Sequence, residues 1–303
     1  MPAHRAFIAL SLGAVLIGLA PIFVRLADVG PAAAAFWRCL LAWPVFALAL
    51  RVASMRRRAS GSRPVTSAAR PHGLLIRAGV FFAADLALWH YAIDHTSVAN
   101  ATLLANLAPL FVAPAAWLLW RESISRRFAL GMALALAGTL VLVGRSAQLD
   151  FGGLAGDALA IAAAVFYAAY ILAITHLRRD VDALRVMTWS SATVATVLLP
   201  VAWLMGERIW PGSAQGWAVL AGLALLSHVG GQGLIAHSMA GVPAALSAVG
   251  LLLHPLAATL LAWWLLAEGF GPAQALGGVV ILAGILLCRG ASRPASQKDA
   301  LAA

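Results

Sequence analysis

Charge is scarce in this 303-residue chain. Asp, Glu, Lys and Arg make up 11% of it, against about 25% in a soluble domain. That excludes a disordered chain, a coiled coil and an ordinary cytosolic enzyme. Cysteine is nearly absent: Cys39 and Cys288 lie far apart and no CxxC pair exists, so neither a disulfide framework nor a zinc site is expected. No GxxxxGK[ST] loop is present, so ATP does not drive this chain by itself. No HExxH or GxSxG appears, which argues against an intramembrane hydrolase. No CxxCH appears, and His90, His228, His237 and His254 form no repeated ligand spacing, which argues against a membrane haem or redox protein. No cofactor and no metal is expected, and the chain does not read as an enzyme.

Apolar residues are abundant, at 62% with a mean hydropathy of +0.90. A helical span needs about 20 apolar residues, so ten spans would use about two thirds of the chain. A transmembrane barrel would alternate polar and apolar positions instead. Ten runs emerge at 7–26, 32–51, 74–93, 98–120, 127–144, 153–175, 184–205, 216–238, 242–266 and 272–289. The fold class is therefore an all-α membrane protein of ten transmembrane helices. The run Phe7 to Leu26 is span-length and reads as the first span rather than a signal peptide. The one long connection, 52–73, reads as a polar flexible loop, and the tail beyond Arg289 is similar.

The net charge of +10 and the pI near 11.3 would suit a nucleic-acid binder only if a folded domain carried a basic face. Here the basic residues sit between apolar runs. With the N-terminus in the cytoplasm, seventeen of the 21 lysines and arginines fall on the cytoplasmic side. Arg25, Arg145 and Arg208 fall outside, and Arg38 lies within a span. The positive-inside rule then puts both termini in the cytoplasm, in a bacterial inner membrane. The bilayer is a partner and nucleic acid is not. Trp43, Trp120, Trp203, Trp210 and Trp217 suit the two aromatic belts.

A shift of 146 residues superimposes the chain on itself without a gap. Pro109 meets Pro255, Trp117 meets Trp263, and Glu122 meets Glu268. Gly131, Gly138 and Gly144 meet Gly277, Gly284 and Gly290. Each half holds five spans, an odd number, so the second half enters the membrane from the opposite side. This is an inverted-topology repeat, the geometry of alternating access. The expected division is 1–146, 147–292 and a cytoplasmic tail, 293–303.

The stretches PAAAAFWRCLLAWP, YAIDHTSVANATLLANLAPLFVAPAAWLLWRESI and GMALALAGTLVLVG resemble the EamA-like branch of the drug/metabolite transporter superfamily. So does the second-half echo GVPAALSAVGLLLHPLAATLLAWWLLAEGFGPAQALGGVVILAGILL. The resemblance covers nearly the whole chain and is poorest in spans seven and eight. It implies ten spans in two inverted halves, a central cavity built largely from spans 1, 3, 4, 6, 8 and 9, and carriage of small metabolites, commonly amino acids.

Ionisable groups within a bilayer are costly and face a partner or a watery cavity. Asp85 shares a helix face with Phe82 and Trp89, an arrangement suited to an ammonium group or to proton coupling, against a structural acid satisfied by a neighbour. His90 follows Trp89 and is a candidate for substrate contact or a proton relay. Asn100, Thr102 and Asn106 in span four suit either a zwitterion or helix–helix contact. Tyr167 and Tyr170 are neighbours at i, i+3. Asp157 suits its helix N-terminus. His228 and Gln232 share a face among three glycines that permit close approach or hinging, and Ser247 and His254 share another. Arg38 is expected to snorkel to the outer interface. Pro109 and Pro255 are expected to bend spans four and nine in matching places. Glu122 and Glu268, at opposite surfaces, are expected to cap the helix that follows or to pair with arginines during gating.

The candidate substrate-binding set is thus Asp85, Trp89, His90, Asn106, Tyr167, Tyr170, Gln232 and His254, with Asp85, Glu122 and Glu268 for coupling or gating. The expected function is secondary transport of a small polar metabolite, an amino acid or related amine, in the export direction. Protons are the candidate coupling ion. The rivals are a multidrug or organic-cation exporter and a sugar or nucleotide-derivative carrier. One chain completes the cavity, so a monomer suffices, and a homodimer stays open.

Overall fold

Leu, Ala and Met favour helix. In lipid, only a helix satisfies every backbone group of an isolated segment. The computed structural model describes residues 2–60, 72–93, 95–96, 98–144 and 154–292, the side chains of 93, 98–100 and 144 excepted. Among these residues there are helices and no strands. Ten helices are long and apolar enough to cross a membrane: Ala3–Leu26, Pro31–Ala59, His72–Ala92, Ala101–Trp120, Arg126–Val143, Leu154–Leu177, Ala183–Leu204, Ala214–Ser238, Ala244–Leu266 and Pro272–Ala291. They are spans one to ten below. The face holding the first and last described residues is called the terminal face, and the other the distal face.

Local chemistry sets the helix ends. Pro31 and Pro272 open spans two and ten in the first turn, where a missing N–H is harmless. The Asp182 and Ser213 side chains accept from the N–H of Leu184 and Gly216 and cap spans seven and eight. Span four divides into Val98–Ala105 and Ala108–Trp120, and span nine into Ala244–Gly250 and Leu253–Leu266. Each break lies just before its proline, Pro109 or Pro255, as expected of a ring that excludes the preceding N–H···O bond. One expectation fails: 52–73 is not wholly loop. Span two stays helical to Ala59 and carries Arg56, Arg57 and Arg58 in its last turn. Arginine is a good helix former, and its charge suits the negative helix end.

The two halves are related by packing as well as by sequence. Span three packs on span six, and its repeat mate, span eight, packs on span one. Span two packs on its own mate, span seven, and span five on its mate, span ten. The five–ten contact is a glycine zipper. A Cβ placed on Gly131 would lie 2.8 Å from Gly284 O, and one on Gly138 would lie 2.8 Å from Gly277 O. The repeat shift carries the first crossing onto the second, so the contact has two-fold symmetry. The helix ends repeat too. Arg121 and Ala267, 146 residues apart, are the two described non-glycine residues at positive φ, +56° and +54°. After each comes the same wide turn, Glu122 N–H to Ala116 O and Glu268 N–H to Ala262 O, both 3.4 Å.

Span eight departs from regular helix. Residues Leu223–Gln232 form a π-helix, a rare widening that recurs at functional sites. Gly231 lies against the backbone of Gly13 and Ile17 in span one, so at least one of the glycines around Gln232 serves close approach.

Candidate functional site

The centre of the bundle is polar. Asp85 of span three is buried, and no described residue hydrogen-bonds to its carboxylate. One turn before it, Phe82 is also buried and stacks on Tyr170 of span six, with ring centroids 4.4 Å apart and planes 8° from parallel. Tyr167, one turn from Tyr170, stacks on it at 6.2 Å. The Tyr170 hydroxyl accepts a hydrogen bond from Gln232 Nε2 at 3.0 Å. Gln232 ends the π-helix of span eight, so widening the helix brings this amide to the tyrosine.

Arg38 of span two corrects an expectation. It is 8% exposed and does not reach the outer interface. It lies seven residues inside the helix start at Pro31, about 10 Å down the axis, and it faces span eight. Its Nε donates to His228 Nδ1 at 3.2 Å, and its guanidinium lies 5.8 Å from the Phe82 ring centre. Since arginine only donates, His228 Nδ1 accepts and the ring hydrogen sits on Nε2. That Nε2 meets the Ser191 hydroxyl of span seven at 2.9 Å and Cys39 Sγ at 3.9 Å. His228 also lies parallel to Phe82 at 6.2 Å. Spans two, three, seven and eight thus fix one guanidinium.

A small cavity adjoins this cluster where spans four and nine break. Asn106, Tyr167, Leu252 and His254 are among its lining residues, and its volume is about 10 Å³, room for about one water. Asn106 sits in the span-four break, and its Nδ2 donates to Thr102 O at 2.8 Å. His254 Nδ1 and its backbone N–H both lie near Leu251 O, at 3.2 and 3.0 Å. The proline breaks thus interrupt both spans, and the Asn106 and His254 side chains beside them line the cavity.

The remaining candidates lie outside this group. Trp89 joins the apolar cluster of Ala92, Ala101 and Ala160 between spans three, four and six. His90 is buried against it, 5.0 Å from the Trp89 ring. The side chain of Asn100, and Arg63, Arg70, Arg145, Arg293 and Lys298, lie outside the described residues. Asp157 accepts a hydrogen bond from the Thr96 hydroxyl at 2.8 Å, so it ties the span three–four connection to span six.

The two glutamates behave differently from each other. Glu122 does not cap the helix that follows; Ser125 does, accepting from Phe128 N–H at 3.1 Å. Glu122 instead reaches the other half. Its carboxylate oxygens accept from Ala244 and Ala245 N–H at 3.0 and 3.2 Å, capping the first turn of span nine. A carboxylate is favoured there by free N–H groups and the helix dipole. Glu268, its repeat mate, pairs with Arg25 on the distal face. Packing follows the same asymmetry. Ala244–Gly250 of span nine packs on Ala108–Trp120 of span four near the terminal face. Among the described residues, the repeat-related pair, Val98–Ala105 with Leu253–Leu266, makes no comparable contact.

Further bonds hold spans two and seven at both ends. At the distal end, Glu207 accepts from Ala32 and Ala33 N–H at 3.1 and 2.8 Å. At the terminal end, Arg57 pairs with Asp182 at 2.9 Å. Burial alone would raise the Asp182 carboxyl, but the Leu184 N–H bond and Arg57 outweigh it and hold the group below the usual carboxylate range.

Residues 4–144 and 154–289 match the EamA-like transporter family. The chain belongs to that family. The two matched segments coincide with the five-span halves, and the protein is a multi-pass membrane transporter of the drug/metabolite type with a small-molecule substrate. An uncharacterized transporter of Archaeoglobus fulgidus is 28% identical over 218 residues, 72% of this chain and 77% of that one. The pseudopaline exporter CntI of Pseudomonas aeruginosa is 27% identical over 157 residues, about half of either chain at 52% and 54%. A solved crystal structure aligns over 96% of this chain and 98% of that one, with a TM-score of 0.78 and 19% identity, and shows the shared ten-helix fold.

Proposed function

We propose that this EamA-like transporter exports a small polar metabolite, an amino acid or related amine, across a bacterial inner membrane by alternating access. The observation that carries the substrate class is Asp85: a buried carboxylate without a hydrogen-bond partner among the described residues, one turn from the stacked Phe82 and Tyr170. A buried carboxylate needs a compensating cation or a proton. An ammonium group supplies the first, with the aromatic faces adding cation–π attraction. A proton supplies the second, which makes Asp85 the coupling residue as well. The binding set is Asp85, His90, Asn106, Tyr167, Tyr170, Gln232 and His254, with Trp89 on the distal approach. Export is supported by the naming of CntI as an exporter. Cytoplasmic termini are supported by the seventeen basic residues on that side.

Alternating access is supported by the two-fold packing of the halves, with an expected boundary near residue 146, and by the way symmetry breaks at spans four and nine. Glu122 latches the terminal face in this conformation. Motion to the other state would release Ala244 and let Glu268 leave Arg25 for the first turn of span four. The cavity between the two breaks has the volume of about one water, so the loaded state requires these breaks to part.

The test is counterflow into proteoliposomes, with labelled amino acids and primary amines screened beside sugars, nucleotide derivatives and large organic cations. Exchange of amino acids or amines is the expected result. Exchange confined to one of the other classes would overturn the substrate reading and leave the transporter assignment standing.

A further inference from the structure

We propose that the cavity where spans four and nine break is a binding site for one monovalent alkali cation, and that this ion and the substrate bind in alternation. Four acceptors belong to residues that line it: Ala105 O, Asn106 Oδ1, Tyr167 Oη and His254 Nε2. The helical partner of Ala105 O would be the residue four on. That residue is Pro109, which has no N–H, and no other described backbone N–H takes its place. Asn106 donates Nδ2 to Thr102 O, which leaves Oδ1 to accept. A carbonyl only accepts, so His254 Nδ1 carries the hydrogen toward Leu251 O, and Nε2 of the neutral ring is the free acceptor. The Tyr167 hydroxyl bonds to no described residue. None of these three side-chain atoms is among the fully enclosed atoms that lack a partner, so each keeps open space beside it.

Size and chemistry together select the occupant. A volume of about 10 Å³ holds one particle the size of a water. A water donates only two hydrogens, so it cannot serve the carbonyl, the amide and the imidazole together, and an acceptor left unpaired in an apolar interior is costly. A cation draws on all four groups at once, as ions do where broken helices expose carbonyls within a membrane. Val98–Ala105 and Ala244–Gly250 both end at the breaks, so the negative ends of two half-helices meet there. Pro109 and Pro255 each remove a donor from the half-helix that begins beyond. No carboxylate lines the cavity, which disfavours calcium and magnesium, whose sites are built around carboxylates. A transition metal is not matched either: among the described residues no three His, Cys, Asp or Glu side chains come together.

The ligands come from three spans: Ala105 and Asn106 from span four, Tyr167 from span six and His254 from span nine. They converge only while the two breaks stay together. Resting on the alternating-access reading, in which the loaded state parts those breaks, entry of the substrate expels the cation. Bound cation then favours the closed state, and a cation gradient drives the substrate the opposite way across the membrane.

The experiment reads thermal unfolding of the full chain in nanodiscs, with calorimetric titration as a second measure. Lithium, sodium, potassium and rubidium chloride are each exchanged for caesium chloride at constant ionic strength and pH. At least one of the four should raise the unfolding temperature saturably, and half-maximal concentrations should spread ten-fold or more across the series. Shifts that are absent, unsaturable or equal for all four overturn the proposal and leave the cavity to water. Asn106→Leu should raise the half-maximal concentration ten-fold or more. His254→Phe should raise it less, because an imidazole nitrogen suits a hard cation less well than oxygen does. Unchanged values in both variants overturn the ligand assignment. The wild-type series needs no variant, so it decides the matter even if neither variant folds. A substrate that exchanges in counterflow should raise the half-maximal concentration in the wild type; an unchanged or lowered value overturns the alternation of ion and substrate. Absence of any counterflow overturns the proposed function, and the cation series still decides the site.

Discussion

Helices in lipid gain nothing from hydrophobic association and rely on close packing, so the glycine zipper between spans five and ten should be unusually sensitive to a single methyl group. A Cβ on Gly284 would lie 2.5 Å from Ala135 N and Gly131 O. Ordinary van der Waals contact begins near 3.4 Å, so the helices must part by about 0.9 Å at that crossing. The obstructing atoms are backbone and cannot turn aside as a side chain can. Overpacking of this kind costs about 1–3 kcal/mol. Gly131→Ala, Gly138→Ala, Gly277→Ala and Gly284→Ala should each lower thermal stability in nanodiscs accordingly. The pattern of the double variants is more telling. Gly131 and Gly284 share one crossing, so a second alanine there meets a gap already opened, and the pair should fall short of additivity by 0.5 kcal/mol or more, on the order of contacting residues elsewhere. Gly131 and Gly138 belong to separate crossings about 10 Å apart along span five, and their effects should add within about 0.5 kcal/mol. Calorimetric or fluorescence-monitored unfolding measures both. Full additivity of Gly131→Ala with Gly284→Ala, or neutral single variants, would refute the symmetric zipper.

The other predictions concern charge. Asp85→Asn should abolish gradient-driven accumulation in proteoliposomes, weaken equimolar exchange through loss of the ammonium contact, and remove the pH dependence of the exchange that remains; an unchanged pH profile would count against proton coupling at Asp85. Glu122→Gln keeps the shape of the span-nine cap but removes its charge. It should weaken terminal-face closure by about 0.5–2 kcal/mol and raise hydrogen exchange at Ala244 and Ala245, whereas Glu268→Gln should leave those amides unchanged. Asp182 is held below its ordinary carboxylate range in the folded protein. Its contribution to stability is therefore present above the unfolded value of about 3.9 and disappears as pH falls through the lower folded value. Asp182→Asn should flatten that acid limb in a stability-versus-pH series; an unaltered limb would show that Arg57–Asp182 does not couple to folding.

Much of the architecture could be read from residues alone. Span-length apolar runs gave ten helices, and the 146-residue shift gave two halves, because hydrophobic length and glycine or proline placement act locally. Asp85 stood out because an acid in an apolar run is expensive anywhere. The centre of the site was less legible. A span that is apolar all round has no marked inner face, so depth alone could not say whether Arg38 turned outward or inward. The sequence carries no sign that residues 38, 191 and 228 meet, since three separate spans must first fix their rotations. Glu122 was expected to cap the helix that follows or to pair with arginines during gating. Its partner proved to be the start of span nine, because the inverted packing brings that free helix end closer than the one that follows. A usable signal did exist: a helix that opens with Pro243, Ala244 and Ala245 has no side-chain cap of its own and requires one from elsewhere.

The central claim, that two inverted halves close one face at a time around the polar centre of the bundle, is tested most directly by distances measured at both faces in the same preparation. Spin labels at Ser123 and Ala240 report the terminal face, and labels at Tyr91 and Gly269 the distal face; all four positions are exposed or open, while the native Cys39 and Cys288 are buried. Pulsed electron paramagnetic resonance in nanodiscs, with and without a saturating amino acid that exchanges in counterflow, gives both distance distributions. The account predicts opposite changes, the terminal pair lengthening in the population in which the distal pair shortens. Distances that move together, or that stay fixed in a preparation active in counterflow, would contradict it.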